Sequence, residues 1–239
     1  MQYIDIHHHI IYGVDDGPSA FEQTQEMLHR AHDNGVSVIA ATSHCMPGLQ
    51  RFPMDEYLEH LKTAQEWSDA QGLGIRICTG SEIFYTRDTV RMLQEGRVLS
   101  LNNTQAVLVE FNPSDEFDPI RNAVRHIGNA GYTVIVAHAE RYEGTQSFDH
   151  LMELQQDFGA YIQINASTII SPGGFLRKRW LRKLIDKGCC DMVATDAHNV
   201  TSRPCRMRHC YETLEAGWGR EIAERLCYTT PAKLLELIP

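Results

Sequence analysis

Asp5-Ile6-His7-His8-His9 closes a short apolar run near the start of the chain, and the same event recurs along it. His44 follows the run 36–43, Glu82 follows 75–80, and Glu110 follows 106–109. His138 ends 132–137, while Asp196 and His198 end 190–195. Seven apolar runs read as strands, and six of them finish on a residue able to bind a metal. Strands separated by helices predict a parallel sheet or barrel, whose reactive groups gather at the carboxyl ends of the strands. Dispersed His, Asp and Glu residues then become one cluster in space. The pattern points to a multinuclear metallohydrolase.

The segments between these runs carry helical periodicity. Ser19 and Glu22 have the spacing of a capping box, and Phe21, Leu28 and Ala31 then repeat on one face before Gly35. A second helix is predicted over 53–72 with Leu58, Leu61 and Ala64 inward, and a short third one over 89–94. Ile120, Val124 and Ile127 mark the next, followed by Phe148, Leu151 and Leu154. Leu176, Trp180, Leu184 and Ile185 mark another, and three helices fill the tail around 205–216, 220–226 and 231–237. Most gaps are long enough for right-handed crossovers. Seven β/α repeats without a clear eighth strand predict an α/β fold, an incomplete or distorted (β/α)7 TIM-like barrel. The segment 98–101 could add a further short strand. No linker or composition break divides the chain, so residues 1–239 read as one domain.

The bulk numbers narrow the function. A formal charge of −9 over 239 residues argues against nucleic-acid binding through a basic surface. Bound cations can reverse the local sign of a site, so an anionic substrate is not excluded. No apolar stretch reaches the roughly 18–20 residues of a membrane span, so no membrane insertion is expected. Nor is a signal peptide expected before Asp5. Seven cysteines with no C-x-x-C pair suggest reduced thiols and a cytoplasmic protein. Arg177, Lys178, Arg179, Arg182 and Lys183 on one helix read as a solvated face rather than a docking surface.

Side chains alternate along a strand, so His7 and His9 point the same way and His8 points away, into the barrel wall or a helix. The loop Gly13-Val14-Asp15-Asp16-Gly17-Pro18 puts two carboxylates beside the histidine pair. Imidazoles mixed with carboxylates suit manganese, iron or zinc better than magnesium or calcium, and the lack of clustered thiolates argues against a structural zinc. A competing chemistry is written at His44-Cys45-Met46-Pro47-Gly48-Leu49-Gln50-Arg51, which fits the H-C-x5-R pattern of cysteine-dependent phosphatases. That chemistry needs a thiolate under a loop of backbone amides leading into a helix. Here Pro47 removes an amide, and Phe52-Pro53 interrupts the helix start.

The phrases Asp5-Ile6-His7-His8-His9, Thr42-Ser43-His44, Gly80-Ser81-Glu82, Val136-Ala137-His138 and Thr195-Asp196-Ala197-His198-Asn199 span the chain in order. Together they resemble the polymerase and histidinol phosphatase (PHP) superfamily. Val14-Asp15-Asp16-Gly17-Pro18, Glu110-Phe111 and Ala139-Glu140-Arg141-Tyr142 resemble its manganese-dependent bacterial protein-tyrosine phosphatases of capsule and exopolysaccharide operons. His8 departs from that subgroup, which often has a smaller residue there. The resemblance implies a PHP-type barrel with three divalent cations, manganese first and iron or zinc also suited. His7, His9, Glu82 and Asp196 would hold the first cation. Glu82, Glu110 and His138 would hold the second, and Asp16, His44 and His198 the third. It further implies hydrolysis of a phosphotyrosine protein, a bacterial tyrosine autokinase, by water activated on those cations. Arg141 and Arg203, close behind two strand ends, are expected to clamp the phosphate. Histidinol phosphate as substrate, or phosphotyrosine binding without turnover, are the alternatives.

Overall fold

The computed structural model describes residues 2–238. The chain alternates as read. β1 (Tyr3–His8), α1 (Phe21–Asp33), β2 (Val36–Ala41), β3 (His44–Cys45) and α2 (Met54–Ala70) lead to β4 (Arg76–Thr79), β5 (Glu82–Phe84) and α3 (Thr89–Gln94). β6 (Ala106–Glu110), α4 (Phe117–Asn129), β7 (Thr133–Val136), α5 (Phe148–Phe158) and β8 (Tyr161–Asn165) follow. The rest is α6 (Ala166–Ile170), α7 (Phe175–Asp186), β9 (Met192–Ala194), α8 (Met207–Trp218), α9 (Arg220–Glu224) and α10 (Thr230–Leu234).

All strand pairs are parallel. Two predicted strands stop and restart just past their expected ends: β2 resumes as β3 after Thr42 and Ser43, and β4 resumes as β5 after Gly80 and Ser81. β4 pairs with β2, whereas β5 pairs with both β3 and β6. The breaks therefore let one curled sheet turn a corner, in the order β1-β2-β4 and β3-β5-β6-β7-β8-β9. A bridge between His8 and Ala197, with Asp196 N–H donating to His7 carbonyl at 2.8 Å, brings the last strand back to the first. The result is a distorted TIM-like barrel with seven strand positions. Ile4, Ile6, Leu108, Ile135, Met192 and Ala194 fill its interior, closed by Ala232 and Leu235 from the α10 region. A larger apolar layer lies between sheet and helices.

One irregularity decides where the histidines point. Asp5 lies opposite Ile39 and His8 opposite Ala41, so β1 spends three residues where β2 spends two. This bulge reverses the alternation. His7 and His9 continue the interior face of Ile4 and Ile6, while Asp5 and His8 share the outward face.

Several sequence expectations need correction. Ser19 bonds Gln23 rather than Glu22, with its N–H 2.7 Å and its hydroxyl 3.2 Å from Gln23 Oε1, and α1 starts at Phe21. Tyr57, not Leu58, takes the inward position on α2; Leu58 is exposed, as is Leu176 on α7. At Leu58 the apolar spacing sits one position off the face that packs, and on α7 the packed face begins only at Leu181, a turn beyond Leu176. Residues 98–101 form no strand. They lead into a tight turn at Leu101–Asn103, where Asn102 and Asn103 take left-handed backbone that a strand cannot contain.

The corner in the sheet is tied by one hydroxyl. Tyr57 Oη donates to Ala41 carbonyl at 2.6 Å and accepts Gly80 N–H at 3.0 Å, joining the ends of β2 and β4 in a buried position. Tyr57→Phe leaves both backbone groups without a partner, at a cost of about 1–3 kcal/mol. The expected outcome is a lower urea midpoint with an unchanged slope; an unaltered midpoint would show that the corner does not depend on this bridge.

Candidate metal centre

The strand ends converge. His7 Nε2 is 3.1 Å from Glu82 Oε1 and 3.4 Å from Asp196 Oδ1, and His9 Nε2 is 3.2 Å from Glu82 Oε2. His138 Nε2 lies 2.8 Å from Glu82 Oε1 and 3.8 Å from Glu110 Oε2. His44 Nδ1 is 3.0 Å from Glu82 and 3.2 Å from Glu110, with its Nε2 3.3 Å from Asp16. His198 Nε2 is 3.2 Å from the same Asp16 oxygen. All nine sequence-predicted residues thus meet. His7, His9, Glu82 and Asp196 offer ligand atoms within 4.8 Å of one another, as do His44, Glu82 and Glu110, and as do His9, Asp16, His44 and His198. His44 therefore bridges two groups, and His9 joins the Asp16 group as well.

The backbone is bent to achieve this. His138 (φ 29°) and Asp196 (φ 54°) both take left-handed backbone right after their strands, a region that non-glycine residues rarely enter. Each turns a side chain that would otherwise follow its strand toward the shared centre.

Whether these residues suit metal ions is decided by their far sides. His7 Nδ1 faces Gln163 Oε1 at 3.2 Å, His9 Nδ1 faces Asp15 Oδ2 at 2.7 Å, and His198 Nδ1 faces the Asp196 carbonyl at 2.9 Å. Each acceptor requires a proton on Nδ1, which leaves the Nε2 lone pair aimed at the centre. His138 Nδ1 is likewise held, 2.9 Å from Tyr142 Oη. Buried His198 Nε2 has no hydrogen-bond partner although it faces a carboxylate, a lone pair against a lone pair that a cation resolves. The donor set fits divalent cations.

Electrostatics agree. Burial opposes charge on Glu82, yet His7, His138 and His44 hold it well below the usual carboxylate range. Burial likewise opposes charge on His9, but Asp15 and Glu82 push it up to about 9. His44 is pushed up to about 11 against burial, by Glu110 and Glu82. His198 goes the other way, lowered to about 4 by burial and the nearby His9, so its imidazole is neutral. Protons and metal ions compete for these lone pairs.

Both predicted arginines reach the centre. Arg141 Nη2 donates to Asp196 Oδ2 and Arg203 Nη2 to Asp196 Oδ1, each at 2.8 Å. Beside them lies a cavity of about 170 Å³ lined by Arg141, Asn165, Ser167, Ser202, Arg203 and Arg206 among others. The turn carrying Arg141 is pinned: Glu143 N–H bonds Pro113 carbonyl and Gly144 N–H bonds Asp115 carbonyl, both at 2.9 Å. Only glycine fits at 144, since a Cβ there would meet the Glu116 carbonyl carbon at 2.5 Å.

Sequence reasoning missed the residues that orient the ligands. Asp15 is not an ordinary turn former; besides His9 it accepts Gly17 and His44 N–H groups, at 3.0 and 3.1 Å. Gln163 accepts His138 N–H at 2.8 Å, and Asn165 donates to Asp196 at 2.8 Å. Both sit on β8, the strand without a metal-type end. Their alternation, Gln163 and Asn165 inside an apolar strand, was the available signal. Cys45, by contrast, is buried and burial pushes its thiol up to about 12, which removes the thiolate that the H-C-x5-R chemistry requires.

A family model for capsular polysaccharide synthesis, CpsB/CapC, matches residues 3–236. The chain belongs to this family. The tyrosine-protein phosphatase CpsB of Streptococcus pneumoniae is 30% identical over 237 residues, covering 97% of this chain and 98% of that protein. The tyrosine-protein phosphatase YwqE of Bacillus subtilis is 28% identical, over 97% of this chain and 91% of that one. Among solved structures, one of the YwqE and CpsB pair, described as unique metal-dependent tyrosine phosphatases, superposes with a TM-score of 0.87 at 27% identity. It covers 98% of this chain and 94% of its own. A histidinol phosphate phosphatase from Lactococcus lactis shares the fold alone, with a TM-score of 0.56 at 13% identity over 91% of this chain and 93% of that one. This CpsB/CapC chain has no described helix long and apolar enough to cross a membrane.

Asp15 would act on a bound metal only through His9 and the loop it holds. Asp15→Ala should weaken manganese binding about 10–100-fold in calorimetric titration. Unchanged affinity would show that His9 is oriented without it.

Proposed function

We propose that this chain is a metal-dependent phosphotyrosine-protein phosphatase whose whole length, 1–239, acts as one PHP metallophosphatase domain. The observation that carries the reading is the set of imidazoles whose Nδ1 atoms are tied and whose Nε2 atoms converge on Glu82, Asp196 and Asp16 beside two arginines. Membership of the CpsB/CapC family and the named tyrosine phosphatases among its relatives support the substrate class.

Three divalent cations, manganese first, would be held by His7, His9, Glu82 and Asp196, by Glu82, Glu110 and His138, and by Asp16, His44 and His198. When bound, they supply Lewis acidity and a water acidic enough to serve as nucleophile near neutral pH. Four carboxylates against three dications leave the site about +2, so an acidic protein still attracts a phosphate monoester there. Arg141 and Arg203 present guanidinium groups that bind two phosphoryl oxygens and stabilise charge as it builds on them. Asp196 holds both guanidiniums in place at 2.8 Å. A tyrosine leaving group, with a reference pKa of about 10, departs as phenolate with little help from an acid. The physiological partner in this reading is a bacterial tyrosine autokinase of capsule or exopolysaccharide synthesis, met in the cytoplasm.

The test is turnover of a phosphotyrosine peptide by manganese-loaded protein. Chelation and His138→Ala should abolish activity, Arg141→Ala should lower kcat/KM about 10²–10³-fold, and Cys45→Ser should leave it nearly unchanged. Activity lost in Cys45→Ser but kept in chelator would overturn the metal reading. Faster turnover of histidinol phosphate would move the substrate to a small phosphomonoester. Peptide bound without phosphate release would make the chain a phosphotyrosine-binding regulator.

A further inference from the structure

The mechanism leaves one buried group of ligand-type residues unused. Asp5 and His8, brought to the outward face of β1 by its bulge, lie with Cys205 of the segment before α8 so that one ligand atom from each falls within 4.8 Å of the others. None is more than 2% exposed. Both ring nitrogens of His8 are buried without a hydrogen-bond partner. A neutral imidazole carries one donor and one acceptor, and leaving both unmet in an apolar wall is costly. Asp5 is equally buried and has no ion-pair partner among the described residues. Its oxygens accept Thr195 N–H at 2.9 Å and Thr195 Oγ1–H at 2.5 Å, with the His7 backbone N–H as a further neutral donor. An unpaired buried carboxylate and an unpartnered imidazole in one place are two separate costs that a single dication offsets, with one His8 nitrogen as ligand, and the adjacent Cys205 sulfur adds a third donor.

We infer that Asp5, His8 and Cys205 form a further cation site, of zinc type, behind the nine-residue centre and separate from it. The donor set decides the metal class. One carboxylate oxygen, one imidazole nitrogen and one sulfur suit zinc, whereas magnesium and calcium avoid sulfur. Binding displaces the Cys205 thiol proton to solvent, and the resulting thiolate and Asp5 balance the two positive charges. Thr195 Oγ1, which donates to Asp5, would hold that carboxylate in place, and water would complete the coordination. The role is structural. The site staples β1 to the segment leading into α8, directly behind the strand that presents His7 and His9. This also accounts for a histidine as large as His8 in a barrel wall.

Cobalt(II) reports such a site specifically, because thiolate-to-cobalt charge transfer absorbs in the near ultraviolet and the nine-residue centre contains no sulfur. Full-length protein is stripped with chelator and titrated with cobalt beyond the requirement of that centre. The wild type should develop the band with an intensity of one thiolate per chain. Cys205→Ser should lose it, His8→Ser should lose it or need at least 10-fold more cobalt, and Cys45→Ser should keep it. No band in the wild type at saturating cobalt, or a band that survives Cys205→Ser, would overturn the site. Should Cys205→Ser fail to fold by circular dichroism, His8→Ser decides: a band of wild-type intensity and affinity in that variant also overturns it.

Discussion

Glu82 is wholly buried, and four imidazoles, those of His7, His9, His44 and His138, approach its two oxygens at 2.8 to 3.2 Å. A carboxylate withdrawn from water this completely is tolerated only when opposite charge is supplied from several sides. Much of the architecture serves that requirement. The end of β1 delivers His7 and His9 toward Glu82, β3 delivers His44 and the end of β7 delivers His138, β5 delivers the carboxylate itself, and the break between β4 and β5 lets that strand lean from one half of the sheet to the other. His138 and Asp196 hold left-handed backbone at the rim for the same reason. Local strain is accepted because each turn is over-determined by its neighbours.

The candidate ligands are only half of the candidate centre. Asp15, Gln163, Asn165 and Tyr142 touch the far nitrogens or oxygens and fix which lone pair faces inward. An imidazole that donates from Nδ1 has Nε2 free for a cation, which would have to displace the protons favoured at His9 and His44. The arginines follow the same economy of placement. Each pairs with a different oxygen of Asp196, which keeps them beside the centre and lining the polar cavity next to it.

Much of this was legible in the sequence because period and position coincide. Ligand-type residues at successive strand ends need only a parallel sheet to become neighbours, and H-x-H needs only alternation to share a face. What was not legible depends on pairing between distant segments. The bulge in β1 exists only in register against β2, so the sequence could not say that Asp5 and His8 share a face. Asp15 and Asp16 look alike in a turn, yet one is buried against His9 and the other is 60% exposed. Gln163 and Asn165 read as polar interruptions of β8 until the strands beside them are known. Leu58 and Leu176 fit a helical period but lost their place to Tyr57 and Leu181, whose packing depends on the sheet below.

Eight residues at strand ends, with Asp16 from the loop after β1, would form a multinuclear metal centre around Glu82. Anomalous scattering from crystals grown with manganese, recorded on both sides of the manganese absorption edge, tests it most directly. Peaks beside Glu82, between it and the His7/His9/Asp196, Glu110/His138 and Asp16/His44/His198 groups, are the predicted result. Manganese-saturated crystals with no anomalous peak within bonding distance of Glu82 would contradict the account.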